Sequence, residues 1–402
     1  MASTDARFFT CGDVIDQLLQ DALHAVRTHL GLDVAFISQF TAGQRVFRYV
    51  DSDAGFSPLC VGDGGPLEES FCQRVVDGRL PPLIHDARDH AEAMALAVTA
   101  QLPVGAHLSV PISLDGEVFG TFCCFSREGK PTLDGQDLAL VQCYANFVSR
   151  IFARIARERH KNLERHARVR GVLEGQLYHM VYQPIFHIGT GQVVGHEALT
   201  RFNAEPQRSP DKWFNEAAEV GLQDDLELAV IRRALADLDQ FPEGSYVSFN
   251  ISPQTILKHP LLEAFTSHPL DRIVLEVTEH ASIDDYGVIA DALAPHRRRG
   301  LRLAVDDAGA GYASFRHILK LKPDVIKLDS TLVAAIDRDT GIRALASALV
   351  RFAEETGSTV VAEGVESEQE LRVLHDLRVG NAQGYLLGRP SPLSSLATLR
   401  RH

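Results

Sequence analysis

Seven acidic or amide side chains recur at the ends of strand-like runs in the second half of the chain: Glu197 in EALTRF, Asn250 in FNIS, Glu276 in LEVTE, Asp306 and Asp307 in AVDDAGAG, Glu363 in VAEGVE and Gln383 in NAQGYLLGRP. One nearby cation, Lys327 in VIKLD, stands among them. Carboxylates in this number cannot be buried side by side unless cations neutralise them. An all-oxygen donor set suits hard divalent ions such as magnesium or manganese. Two such ions, about 3.5–4 Å apart, would clamp the attacking and leaving oxygens of a displacement at phosphorus. The chemistry these residue types point to is metal-dependent cleavage of a phosphodiester.

Such residues work only if the fold brings them together. From about Leu177 the runs MVYQPIFHI, VVGHEALTRF, YVSFNIS, RIVLEVTE, LRLAVDDAG, DVIKLD, TVVAEGV and NAQGYLLG read as strands, and helical patterns such as DDLELAVIRRALADLDQF and TGIRALASALVRFAEETG separate most of them. Strand–helix alternation carried to eight strands predicts a TIM-type (β/α)8 barrel. Its first connection, IGTGQ, is hairpin-length, so the first strand is expected to be antiparallel and the barrel modified. Gln383 apart, the polar residues lie at the C-terminal ends of their strands, the face on which such barrels build active sites. Asp306 and Asp307 are neighbours, which point to opposite faces of a regular strand. Both reach one site only if the strand ends there, and Gly309 and Gly311 are expected to supply the turn.

The first half is a different object. An amphipathic helix with Leu18, Leu19, Ala22, Val26 and Leu30 on one face ends at Gly31. The strand-like runs DVAFISQF, QRVFRYV, LPPLIHD, HLSVPISL and EVFGTFCCFS follow, with an Asp115-Gly116 hairpin signal between the last two. This predicts an α+β sheet domain. After it comes a long helix whose Leu138, Val141, Tyr144, Val148, Ile151 and Ile155 recur every three or four residues, and past Ile155 the segment turns basic. The stripe could pack on its own sheet, or it could pair with a partner chain as a signalling helix, and the second is the expectation. The boundaries are then 1–133 for a sensor-like domain, 134–174 for the connecting helix and 175–402 for the barrel.

Composition narrows the field. A formal net charge of −13 excludes a nucleic-acid polymer binder that works through a basic surface. No stretch of about 18 apolar residues suggests a membrane span, and the N-terminus lacks the basic start and apolar core of a signal peptide. The six cysteines all lie within the first 143 residues and match no common zinc spacing, so a reduced, cytoplasmic setting is expected. Cys123 and Cys124 should point to opposite faces of a strand, which argues against a disulfide between them.

In order, YQPI at 182–185, EALTR at 197–201, NIS at 250–252, EVTE at 276–279, DDAGAGYAS at 306–314, IKLD at 326–329, AEGVE at 362–366 and QGYLLGRP at 383–390 resemble the EAL-type cyclic-di-GMP phosphodiesterase domain. The resemblance covers about 175 to 395. It implies hydrolysis of one phosphodiester bond of cyclic-di-GMP to give linear pGpG, with two Mg2+ or Mn2+ ions per site. By position it implies Glu197, Asn250, Glu276 and Asp306 as ligands of a first metal, and Asp306, Asp307 and Glu363 as ligands of a second. Lys327 would orient the attacking water, Gln383 would support metal-bound waters, and Glu279 would hold the loop after the fifth strand. Glu363 counts among the catalytic residues as well as the metal ligands. Arg201 would contact a phosphate, with Leu199 and Pro390 near the guanine, and Gln183 and Asp329 complete the substrate contacts. The family's usual DDFGTGYSS loop is here DDAGAGYAS, with Ala308, Ala310 and Ala313 replacing an aromatic and two hydroxyl residues. This puts regulation in doubt more than activity.

CQRVVDGRLPPLIHDA and VGAHLSVPISLDGEVFGTFCCFSRE resemble a GAF domain, a sensor of small molecules or light. Its ligand is not readable. His85, His90 and His107 are candidate haem ligands, against which stands the ordinary role of a lone histidine as surface or satisfied core. The expectation is a GAF-controlled phosphodiesterase that works as a homodimer. The alternative is a degenerate EAL barrel that binds cyclic-di-GMP and passes the signal on without turnover.

Overall fold

The structure, a computed structural model, describes residues 13–258, 263–265, 267–277, 285–308 and 312–396. The chain divides into two compact units, residues 1–161 and 162–402. Among the described residues no helix is long and apolar enough to cross a membrane.

In the first unit six strands form one antiparallel sheet: β1 (Val34–Thr41), β2 (Gln44–Ser52), β3 (Gly64–Pro66), β4 (Leu83–Ile84), β5 (His107–Leu114) and β6 (Glu117–Phe125), in the order β3-β2-β1-β6-β5-β4. The Asp-Gly turn between β5 and β6 is present, with both residues at positive φ (48° and 90°), which matches the twist of the flanking strands. The opening helix runs Asp13–Leu30 and stops at Gly31, whose φ is +61°. Of the face expected, Leu19, Ala22 and Val26 are buried, with Leu23 beside them, and Leu30 packs against the same core, whereas Leu18 is 45% exposed. As the strand period requires, Cys124 enters the core on one side of the sheet and Cys123 the core on the other.

One continuous helix, Gly135–Glu174, carries the apolar stripe. The stripe is taken up within the first unit. Val141 and Val148 are fully buried, together with Ala145 and Phe152, in the core that also holds Ile37, Leu108 and Phe122 of the sheet; Leu138, Tyr144, Ile151 and Ile155 pack against it. This corrects the expectation that the stripe pairs two chains. On that sheet face the stripe residues share one core with Leu19, Leu23 and Val26 of the opening helix, so the stripe is interior to the unit.

The second unit is a closed barrel of β7 (Tyr178–His187), β8 (Val193–Phe202), β9 (Tyr246–Asn250), β10 (Ile273–Val277), β11 (Arg302–Ala308), β12 (Val325–Leu328), β13 (Thr359–Ala362) and β14 (Asn381–Ala382). As expected, β7 is antiparallel, both to β8 and to β14, and the remaining neighbours are parallel. Ile185, Tyr246, Val274, Ala304, Val325 and Val361 fill one layer of the interior. Gly195 belongs to the same level, paired with Ile185 and Tyr246 across its two neighbours. It has to be glycine, because a Cβ there would stand 2.5 Å from the Tyr246 ring. This apolar plug is the floor on which the site stands.

Candidate metal centre

Two residues beyond the plug on each strand, the interior turns polar. The same inward positions now carry Gln183, Glu197, Ser248, Glu276, Asp306, Lys327, Glu363 and Gln383, with Asn250 one step further along β9. The period-2 alternation of eight strands thus delivers the sequence-predicted set to one mouth.

Lys327 is at the centre, fully buried. Its Nζ lies 2.7 Å from Glu276 Oε2, 2.7 Å from Glu363 Oε1, 2.9 Å from Asp306 Oδ1 and 3.6 Å from Glu197 Oε1. Gln383 Nε2 donates to Glu197 Oε2 at 2.7 Å and to Glu363 Oε1 at 2.8 Å, and Asn250 Nδ2 donates to Glu197 Oε1 at 3.2 Å. Burial pushes the Glu276 carboxyl up to about 8 although Lys327 pulls it down; Glu197 and Asp306 add to the rise. Glu363 is likewise raised well above the carboxylate range by burial, again against Lys327. Burial disfavours the charge on Lys327, but Asp306, Glu197, Glu276 and Glu363 outweigh it and hold the ammonium well above its ordinary value. One lysine therefore holds together carboxylates that would otherwise resist burial.

The second aspartate arrives by a route the sequence did not suggest. Asp307 itself has φ +53°, and the register between β11 and β12 slips between Val305 and Ala308. This bulge inside the strand puts one oxygen each of Asp306, Asp307 and Glu363 within 4.8 Å of one another. Gly309 and Gly311, expected to make the turn, lie outside the described residues, as does Glu279.

The donor set fits hard divalent cations. It consists of oxygens, and two of them lack what burial normally demands. Gln383 Oε1 has no hydrogen-bond partner, and Asp306 Oδ1 has none either, since Lys327 approaches it outside hydrogen-bonding angle.

Beside the centre opens a pocket of ≈530 Å3 whose walls include Asn250, Asp306 and Asp307 together with Leu199, Arg201, Phe214 and Asn215. Of the residues expected to contact substrate, Leu199 and Arg201 line it. Gln183 is inside the barrel, donating to Gly388 O at 3.0 Å. Asp329 caps the helix Ser330–Val333 by accepting from Thr331 N at 3.0 Å. Pro390 is half-buried just before Ser391, which bridges to Tyr182, and it does not line this pocket.

Glu227 was missed in the sequence. It is buried in the helix Gln223–Leu235 and accepts from both the backbone N and Oγ of Ser252 at 2.9 Å, which anchors the turn after Asn250. An acid between Leu226 and Val230, on an otherwise apolar helix face, was the available signal.

In the first unit, a cavity of ≈30 Å3 is lined by Arg45, Cys72, His107 and apolar side chains including Phe36, Phe47, Phe71 and Phe125. His107 is buried against Phe71 and its Nδ1 has no hydrogen-bond partner, so it is core but not satisfied core. His85 Nε2 is 2.9 Å from Leu133 O, and His90 precedes the short helix Ala91–Met94 at its cap position.

Residues 166–390 match the family model for the EAL domain, and residues 14–152 that for the GAF domain. A probable cyclic di-GMP phosphodiesterase of Escherichia coli, PdeD, is 30% identical over 227 residues, 54% of this chain and 42% of the relative. The cyclic di-GMP phosphodiesterase NbdA of Pseudomonas aeruginosa is 30% identical over 254 residues, 60% of this chain and 32% of the relative. This chain therefore spans well under half the length of these curated relatives. The structure of PaMucR phosphodiesterase in complex with c-di-GMP aligns with a TM-score of 0.52 at 26% identity, covering 58% of this chain and 99% of the other.

Proposed function

Because the chain belongs to the EAL-domain family and carries a GAF domain ahead of the barrel, we propose that it hydrolyses cyclic-di-GMP to linear pGpG at the mouth of the barrel, with two divalent cations, Mg2+ or Mn2+, and under the control of the GAF domain. The observation that carries this reading is a charge balance. With Glu197, Glu276, Asp306, Asp307 and Glu363 all ionised, five negative charges would face the one positive charge of Lys327, and two divalent cations would cancel the remaining four; without cations, burial keeps protons on Glu276 and Glu363 instead. Glu197, Asn250, Glu276 and Asp306 would hold one cation; Asp306, Asp307 and Glu363 would hold the other. When bound, the cations supply Lewis-acid polarisation of the phosphoryl oxygen and a water acidic enough to attack near neutral pH.

The protein's own groups do the rest. Lys327 keeps its proton and so acts as a hydrogen-bond donor and a positive charge, orienting a water without accepting its proton. Gln383, anchored on Glu197 and Glu363, holds those two carboxylates in place and leaves its Oε1 for a water. Arg201 presents a guanidinium to a phosphate in the adjoining pocket, with Leu199 and Phe214 offering apolar wall to a base. The test is incubation with cyclic-di-GMP and Mg2+ or Mn2+, followed by separation of the nucleotides. Appearance of pGpG is expected. Binding of cyclic-di-GMP with no pGpG in either metal would instead make the barrel a sensor of the nucleotide.

A further inference from the structure

One wall of the pocket is a single helix, Pro210–Glu219, which contributes Pro210, Asp211, Phe214 and Asn215 on one side. On its other side it buries Trp213, Glu216 and Ala217. The Glu216 carboxylate is 7% exposed and is held from two directions. Arg168 Nε, in the last turns of the helix Gly135–Glu174, donates to Oε1 at 2.9 Å, and Arg208 Nη1, just before the wall helix, donates to Oε2. Arg208 is itself stacked over the Trp213 ring at 3.8 Å. A turn further on, Arg165 Nη1 pairs with Glu219 Oε2 at 3.2 Å. Around them Val169 and Val172 are buried in the barrel's outer core. None of these groups reaches the metal centre, and none belongs to the motifs that carry the chemistry.

We propose that Glu216 is a positioning residue for the pocket. By tying the wall helix at once to Arg168 and to Arg208, it fixes where Asp211, Phe214 and Asn215 stand opposite Arg201, and so sets how tightly the cyclic dinucleotide is held. The inference rests on the reading of the pocket given under Proposed function. Its physical basis is that a buried carboxylate with two charge-assisted partners tolerates little displacement, whereas a helix held by apolar contacts alone can slide. It also makes the last turns of the long helix the place where a movement of that helix would be felt as a change in affinity.

Steady-state kinetics on the full chain with cyclic-di-GMP and Mn2+ test it, using wild type, Glu216→Gln, Arg168→Gln and Arg168→Lys. The first two should raise KM by about tenfold with kcat within about twofold, and Arg168→Lys should recover most of the loss. Trp213 emission and the unfolding midpoint verify that each variant is folded. If Glu216→Gln does not fold, Arg168→Gln, which leaves the Arg208 arm in place, decides alone. If wild type binds without turnover, the dissociation constant replaces KM and the same ratio is expected. Unchanged KM in folded variants, or a loss confined to kcat, overturns the role of Glu216 while leaving the function standing. A wild type that neither binds nor cleaves the nucleotide overturns the reading of the pocket, and this inference with it.

Discussion

At the scale of single residues, Lys327 and His107 are buried titratable groups with opposite consequences. Lys327 touches three carboxylates within 2.9 Å and is 1% exposed. Lys327→Met should cost the cation-free protein roughly 3–5 kcal/mol, because removal of one member leaves its partners uncompensated. Divalent cations should then restore more stability to the variant than they add to wild type, as urea unfolding with and without chelator would show. Equal stability without cations would mean that the lysine does not hold the cluster together. His107 behaves in the other sense. Burial, with Arg45 nearby, pushes its pKa down to about 3 from an ordinary value of 6.5. The folded state thus prefers the neutral ring. Its contribution to stability is complete above about pH 6.5 and is lost as pH falls toward 3, by about 1.4 kcal/mol per pH unit. Relative to their intrinsic exchange rates at each pH, amides in β5 and β6 should therefore exchange faster as pH falls from 6.5 to 5 in wild type. In His107→Gln that acceleration should be smaller; the same acceleration in both would assign it to other groups.

At the scale of elements, β11 and the long helix show what was legible in the sequence and what was not. The eight barrel strands and their polar ends could be read because period 2 and strand termini are local properties, and the IGTGQ hairpin fixed the direction of β7. The way Asp307 reaches the site could not be read. Left-handed backbone at an aspartate is selected by contacts across β11 and β12, not by neighbours in sequence. Asp307→Asn should fold like wild type, since asparagine tolerates that conformation, yet lose at least tenfold in cation affinity. Asp307→Val should add about 1–2 kcal/mol of destabilisation, readable as a lower unfolding midpoint. Identical midpoints for the two variants would remove the strain argument. The stripe on the long helix was legible as a stripe, but its partner was not, because a periodic apolar face says nothing about what covers it. With Val148 fully buried in the first unit's core, Val148→Glu should unfold that unit. Loss of its cooperative melting transition is expected; a variant with an intact transition and only an altered mass would return the stripe to the role of a seam. Glu216 was illegible for a similar reason, since Arg168 lies 48 residues away; Glu227 stood out as an acid on an apolar face, but its partner Ser252, 25 residues away, did not.

At the scale of the whole molecule, the two units should answer differently to cations. The oxygens proposed as metal ligands all belong to residues 162–402, and so does the chain's one tryptophan, Trp213. Mg2+ or Mn2+ at about a hundred times its dissociation constant should stabilise the barrel by about 2.7 kcal/mol. Trp213 fluorescence, followed during heating, should then move to higher temperature, and the transition of the first unit should stay in place. A shift of both transitions together would show that the units unfold as one, and a shift of neither would count against the cation site.

The pairing of β14 with β7 has a further consequence, for the order in which the chain acquires its structure during synthesis. Every pairing in the first unit's sheet lies within residues 34–125, so that sheet can assemble while the remainder is still being translated. The barrel cannot. Its first strand waits for its last, and Gln383 meets Glu197 across 186 residues. Until then Glu197, Glu276 and Asp306 have no enclosed interior to share, and the carboxylates stay in water where their mutual repulsion is weak. Only once β14 has emerged does closing the ring force them together around Lys327. A nascent chain arrested before β14 would carry most of the proposed ligands and none of the enclosed site: a folded GAF domain followed by an open sheet.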